Sequence, residues 1–124
     1  MKNVLPLLLL LAFTTFLFAS CKKEGIGGKS SVSGYVKHHG LAISNAVVYI
    51  KYGATEFPGT DISKYDDRAT SNSEAFFEIE NLRRGNYYLY SVGFDNSISE
   101  VVFGGIAVKL LANKSVDTDV PVSE

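Results

Sequence analysis

Short runs in which apolar and polar residues alternate dominate the chain after Cys21. The longest follows the turn Arg83-Arg84-Gly85 and extends from Tyr87 to Val92. Successive side chains of a strand point to opposite faces of the sheet. The pattern therefore predicts a long strand with Tyr87, Leu89 and Ser91 on a core face and Tyr88, Tyr90 and Val92 on the outer face.

Similar runs predict further strands at residues 31–37, 46–52, 67–71, 76–79, 99–111 and 116–122. The second of these is apolar on both faces, which is typical of a strand inside a sheet. Gly104-Gly105 predicts a bulge or a sharp corner, and Pro121 predicts an edge strand. Residues 53–66 are predicted to form a long loop of the kind that is often functional. About seven short strands without a helix indicate an all-β sandwich.

The N-terminus has the features of an export signal. Lys2 is followed by an uncharged apolar run, shorter than the roughly 20 residues that a membrane-spanning helix needs, which ends at Ala19-Ser20. Residues 17–21, Leu-Phe-Ala-Ser-Cys, resemble the bacterial lipobox, although Leu or another aliphatic residue is usual where Phe18 stands. We therefore expect residues 1–20 to be a lipoprotein signal peptide, Cys21 to be lipidated, residues 21–30 to be a flexible tether, and residues 31–124 to form the domain.

Composition excludes several classes of function. The net charge is −1 and no basic stripe is present, so a nucleic-acid partner is not expected. The single cysteine cannot form an intramolecular disulfide. His38 and His39 would face opposite ways in a strand, and the acidic residues of the long loop match no calcium-binding pattern. We predict no catalytic residue, no cofactor and no metal site, and we expect both histidines to be solvent-exposed turn residues.

The spacing of turn glycines and core residues resembles a known family. The residues are Val32-x-Gly34-x-Val36, Asn45-Ala46-x-Val48-x-Ile50 and Phe77-x-Ile79-x-Asn81-Leu82-x-x-Gly85-x-Tyr87-x-Leu89. This pattern resembles the carboxypeptidase regulatory-like domain, which implies a seven-stranded antiparallel Greek-key sandwich of the prealbumin-like type. Such domains occur as accessory modules on peptidases, receptors and adhesins, and as small stand-alone lipoproteins, which this chain resembles. Transthyretin-like hydrolases, related enzymes, end in Tyr-Arg-Gly-Ser, whereas this chain ends in Val-Pro-Val-Ser-Glu.

Aromatic residues supply the candidate binding surface. Tyr49, Tyr88 and Tyr90 are predicted on the outer face of the sheet, and Phe57 lies in the long loop; Tyr35 is also predicted to point outward. Exposed tyrosines can stack on sugars or anchor a protein interface, but they can also simply cover a sheet by pairing across strands. We expect a non-catalytic module that binds an envelope protein or a glycan, anchored through Cys21 to the membrane of the cell envelope, with the outer membrane favoured. A small hydrolase and a purely structural envelope component are the alternatives.

Overall fold

The computed structural model describes residues 23–124, which contain nine strands, one 3-10 turn and no α-helix. The strands are β1 (Ile26–His38), β2 (Leu41–Ala42), β3 (Val47–Tyr52), β4 (Asp67–Thr70), β5 (Phe76–Leu82), β6 (Gly85–Asp95), β7 (Glu100–Leu110), β8 (Ser115–Asp117) and β9 (Val120–Pro121). Among these residues, no helix is long and apolar enough to cross a bilayer.

The strands form two sheets. One sheet is built around β1, which pairs antiparallel with β5 and β2 and parallel with β8 and β9. The other is antiparallel and has the order β4-β3-β6-β7. The predicted all-β sandwich is confirmed, with β3 inside its sheet and β4 at an edge. Only the closing segment departs from an antiparallel arrangement.

The core lies between the two sheets and is made by the alternating positions that the sequence predicts. Tyr87 and Leu89 of β6 are fully buried, as are Val48 and Ile50 of β3. From the other sheet come Val32, Val36, Phe77, Leu82 and Val120. Burial of these apolar side chains is the main force that holds the sheets together.

The predicted tether is wrong for residues 26–30, because β1 begins at Ile26. Lys23 and Gly25, which precede the strand, are held as well. Arg83 N donates a hydrogen bond to Gly25 O at 2.8 Å, and Gly25 N donates to the Tyr87 hydroxyl at 2.9 Å. A glycine-rich segment is flexible only where its backbone makes no hydrogen bonds. Here residues of and after the β5–β6 connection accept or donate those hydrogen bonds. Residues 1–22, with the predicted signal and Cys21, lie outside the described residues.

The bulge predicted at Gly104-Gly105 is also wrong, because β6 and β7 pair without a break from Gly85↔Leu110 to Asp95↔Glu100. The glycines instead permit close approaches. A Cβ on Gly104 would lie 2.3 Å from Pro121 O, and one on Gly105 would lie 2.6 Å from the Tyr88 ring. These two glycines therefore leave room for Pro121 and Tyr88, and the strand does not bend at them.

Pro121 lies at the edge of its sheet, as predicted, because β9 pairs with β1 alone among the described strands. It is in register with Lys37 of β1, and Val122 N donates to Lys37 O at 3.0 Å. On the opposite side, Ser123 and Phe103 of β7 exchange two backbone hydrogen bonds of 2.9 Å. The chain end therefore closes the gap between the two sheets, and its one proline lies where the N–H group it lacks is not used.

Candidate functional site

An aromatic cluster covers the outer face of the antiparallel sheet. We define it as Tyr49 of β3, Tyr88 and Tyr90 of β6, and Phe57 and Tyr65 of the 53–66 loop. Tyr49 pairs directly with Tyr90 across the two strands. The structure thus brings together all four residues of the predicted binding surface, whereas Tyr35 lies on the other sheet, where its ring meets Phe76 edge-on at 5.6 Å.

The loop folds back onto the sheet tyrosines. Phe57 lies 5.4 Å from the Tyr90 ring centre and 5.9 Å from that of Tyr88. Tyr65 stacks on Tyr90 at 5.6 Å and lies 5.8 Å from Tyr49. As a result Tyr90 is only 4% exposed, while Phe57 remains 50% exposed. Tyr90 therefore supports the surface from below, and the accessible rings are those of Phe57, Tyr49, Tyr65 and Tyr88.

Polar contacts fix the loop in this position. The Tyr65 hydroxyl donates to Gly59 O at 2.8 Å, and Asp66 accepts from Tyr52 N at 2.7 Å. Asp61 accepts from both the backbone and the hydroxyl of Ser63, and these bonds lower the pKa of the Asp61 carboxyl. The acidic residues of the loop thus serve its own fold. A loop held this way presents its rings without a large ordering cost when a ligand binds.

A groove beside the cluster combines aromatic and polar groups. It encloses about 460 Å³. We call it the tyrosine groove, and it is lined by Tyr49, Ile62, Ser63, Tyr65, Asp66, Asp67 and Arg68. Burial raises the pKa of Tyr65 to about 12 and also raises the pKa values of Tyr88 and Tyr90, so these hydroxyls stay protonated near neutral pH.

Sequence reasoning did not single out Tyr65 or Arg68. Tyr65 lies before β4 in a loop whose residues do not alternate between apolar and polar. The sequence therefore cannot show whether its ring packs on the sheet or faces solvent. Arg68 lies directly opposite Tyr49 in the β3–β4 pairing. That register could have revealed it, since cross-strand neighbours share a face of the sheet.

A second cluster occupies the end of the sandwich where β1 stops. His38, predicted as a solvent-exposed residue, is instead 4% exposed. Its Nδ1 contacts Asp95 at 2.7 Å and its Nε2 contacts Glu124 at 2.5 Å. The prediction was wrong because β1 continues to His38 and places its ring beside the end of β6. Both ring nitrogens are engaged by carboxylates, so this imidazole is not placed to activate a nucleophile.

The same corner is where metal-ligating atoms come together. Ligand atoms of His38, His39 and Glu124 lie within 4.8 Å of one another. Within residues 23–124 this is the one group of three such residues at that spacing. Both ring nitrogens of His38 already contact carboxylates, and these contacts, Asp95 first among them, raise its pKa and so favour the protonated form, which cannot bind a cation. The arrangement favours an ion pair over a metal centre.

Comparison with known proteins shows that the fold of this chain is similar to that of a solved structure. No protein-family model matches the chain, and no curated protein matches it. A solved structure from Pseudomonas aeruginosa, described as that of a putative carbohydrate binding protein, has a TM-score of 0.57 and 12% identity over 84% of this chain and 93% of the other. The shared property is a β-sandwich.

A second solved structure is a DUF3823 family protein from Parabacteroides merdae, with a TM-score of 0.49 and 14% identity. The match covers 78% of this chain and 47% of the other, so this chain spans about half of that protein. Neither structure is described as an enzyme. The resemblance to carboxypeptidase regulatory-like domains remains a prediction from sequence.

Proposed function

We propose that this protein is a non-catalytic binding module, anchored in the cell envelope through a lipid on Cys21, and that its tyrosine groove binds a glycan. The observation that carries the proposal is the groove itself, in which the half-buried rings of Tyr49 and Tyr65 lie beside the side chain of Arg68. Sugars present apolar C–H faces together with dense hydroxyls. A site for them therefore needs a flat ring and adjacent hydrogen-bonding groups.

Three further features support this function. The rings are positioned before any ligand arrives, because the loop is tied down by Tyr65 and Asp66. The Arg68 guanidinium supplies hydrogen-bond donors beside these rings, as the hydroxyls of a sugar require. The Pseudomonas aeruginosa protein of similar fold, described as a putative carbohydrate binder, is compatible with this role.

The groove can be tested with variants that have matched controls on the other sheet. Tyr49→Ala and Arg68→Gln change the groove, while Tyr35→Ala and Lys37→Gln change a comparable pair in which Lys37 Nζ lies 5.7 Å from the Tyr35 ring centre. The ligand is a polysaccharide that, when cast into a native gel, slows the migration of the unchanged protein. We expect the groove variants to bind this polysaccharide about tenfold more weakly. The controls should bind like the unchanged protein, and all four should unfold cooperatively. Equal binding by groove and control variants would contradict a glycan site here.

A protein partner is the second candidate, favoured by a specific feature of the same face. Beyond the aromatic cluster, Phe94, Val101 and Phe103 are each more than two-fifths exposed on β6 and β7. Adjoining exposed apolar groups are typical of interaction surfaces. A photoreactive residue at Phe57 should then cross-link one dominant envelope protein in cells, whereas scattered membrane neighbours would count against a protein partner.

The anchor has its own test, independent of the groove. The lipobox-like segment before Cys21 predicts that the protein incorporates labelled palmitate and fractionates with membranes, the outer membrane above all. A Cys21→Ser variant should lose the label and leave the membrane fraction. Unchanged fractionation of this variant would contradict lipid anchoring and leave the groove proposal intact.

A further inference from the structure

The end of the sandwich where β1 begins contains a cavity of about 330 Å³. We call it the basic cavity, and it is lined by Gly27, Gly28, Lys29, Ser30, Leu82, Arg83, Arg84, Ala112 and Asn113. Three of these residues carry a positive charge and none is acidic. A concave site with this lining attracts an anion.

The charges of the basic cavity are not neutralised nearby. No ion pair within residues 23–124 involves Lys29, Arg83 or Arg84. The neighbouring carboxylate of Glu24 faces another way, since it accepts from Asn86 N at 3.3 Å. Glu80 lines a separate depression on the other side of Lys29. Three unpaired cations around one hollow repel each other, and an anion would relieve that repulsion.

The backbone holds Arg83 in place for such a role. Its Nη1 donates to Lys23 O at 3.2 Å, and a Cβ on Gly27 would lie 2.8 Å from its Nη2. Gly28 approaches Leu82 O so closely that a Cβ there would lie 2.1 Å from that oxygen. Gly27 thus leaves room for the guanidinium, and Gly28 lets β1 pass close to the backbone of Leu82 and Arg83. A fixed guanidinium fork matches the oxygens of a phosphate group.

The position of Cys21 places this end at the membrane; this step rests on the lipid anchor of the proposed function. Lys23 is already hydrogen-bonded to Arg83, and only Lys22 separates it from Cys21. Two residues of extended chain span roughly 7 Å. A lipid on Cys21 therefore leaves no room for the domain to stand away from the bilayer, and the basic cavity must lie close to the headgroups.

We propose that the basic cavity binds the phosphate of an anionic lipid headgroup, so that the sandwich rests on the membrane by this end. The distribution of charge agrees with that orientation. Lys23 and Lys114 add positive charge around the cavity, where the basic residues outnumber Glu24 and Glu80. Asp95 and Glu124 lie at the opposite end beside His38. An anionic surface would attract one end and repel the other.

The test uses residues 23–124, which contain the whole core, with cooperative thermal unfolding as the check that they fold without the preceding segment. Because Cys21 is absent, vesicle binding reports on the basic cavity and not on the anchor. We expect sedimentation with vesicles of mixed zwitterionic and anionic lipid, and none with zwitterionic vesicles. The double variant K29Q/R84Q should bind the anionic vesicles about 30-fold more weakly.

The matched control is K37Q/K64Q, which removes the same charge away from the cavity and should bind within about twofold of the unchanged protein. Equal loss in both double variants would overturn the proposal, since net charge and not the cavity would then govern binding. A third arm titrates inorganic phosphate alone. Saturable phosphate binding without any vesicle binding would also overturn it, because the source would then be a free anion and not a headgroup.

Discussion

His38 is a buried imidazole held between two carboxylates from distant parts of the chain. Asp95 contacts its Nδ1 and Glu124 its Nε2. These bonds raise the pKa of His38, with Asp95 as the largest cause, while burial acts in the opposite direction. The hydroxyl of Ser97 and His38 together lower the pKa of Asp95 to about 2. The His38 ring thus joins the ends of β1 and β6 to Glu124.

We expect the free energy of unfolding to fall as the pH rises above about 6.5. A raised folded pKa for His38 gives stability that is complete below its unfolded value of 6.5 and is lost as pH rises through the folded value. Asp95, with a folded pKa of about 2, acts in the opposite sense and loses its contribution only as pH falls below 3.8. Denaturant unfolding measured from below pH 3.8 to well above pH 6.5 covers both limbs.

The variant Asp95→Asn should remove most of the decrease at alkaline pH, because the first cause of the raised His38 pKa is gone. His39→Asn is the matched control. It changes the exposed neighbour and keeps a side chain suited to the left-handed backbone there, where φ is 50°. The control should keep the pH dependence. If Asp95→Asn also kept it, the ion pair would not be its origin.

At the scale of elements, the start of β1 is the segment whose role differs most from expectation. Residues 23–30 are polar and rich in glycine, yet they complete the end of the sandwich. Ser30 is buried and donates its hydroxyl to Leu111 O at 2.5 Å. Together with the Gly25 contacts, this joins β1 to the turns that follow β5 and β7.

A chain that begins at Ser31 should therefore be less stable than one that begins at Lys23, by about 2–3 kcal/mol. The hydrogen bonds that the shorter chain loses include three short ones, those of Gly25 with Arg83 and Tyr87 and that of Ser30 with Leu111, and the expected difference counts these three. Urea unfolding of both chains gives the difference. A chain that begins at Glu24 is the control and should differ little from the longer one; equal stability of all three would show that the segment contributes nothing.

The sequence predicted the fold correctly wherever apolar and polar side chains alternate along a strand. The period of two placed Tyr87, Leu89, Val48 and Phe77 in the core, because burial selects apolar residues at every second position. The alternation could not predict that residues 26–30 belong to β1. Glycine and serine show no pattern that distinguishes a hydrogen-bonded backbone from a flexible one. The same limit hid Tyr65, whose position depends on how a loop without a period folds back onto the sheet.

His38 shows a different limit. Its partners are 57 and 86 residues away along the chain, so only the fold reveals the pairing. Tyr90 was predicted on the outer face and does lie there, but the alternation cannot say that Phe57 and Tyr65 would cover it. Sequence therefore identified the aromatic face, and the loop decides which of its rings a ligand can reach.

At the scale of the whole molecule, the two ends of the sandwich differ in charge and the binding face lies between them. β6 runs the full length, from Gly85, which follows the cavity residue Arg84, to Asp95 beside His38. Its 11 residues correspond to roughly 35 Å. If the basic cavity rests on the bilayer, the tyrosine groove opens sideways and the His38 corner points away from the membrane.

This orientation predicts a difference in depth between labels at the two ends. Fluorophores would be attached to Leu111→Cys, in the exposed turn at the cavity end, and to Asn96→Cys, in the exposed turn beside Asp95. With residues 23–124 bound to anionic vesicles, headgroup quenchers should reduce the emission of the first label several-fold more than that of the second. The second lies a full strand length away, beyond the reach of a contact quencher. Equal quenching at both ends would mean that the molecule lies on its side, and the lipid-facing role of the basic cavity would fail with it.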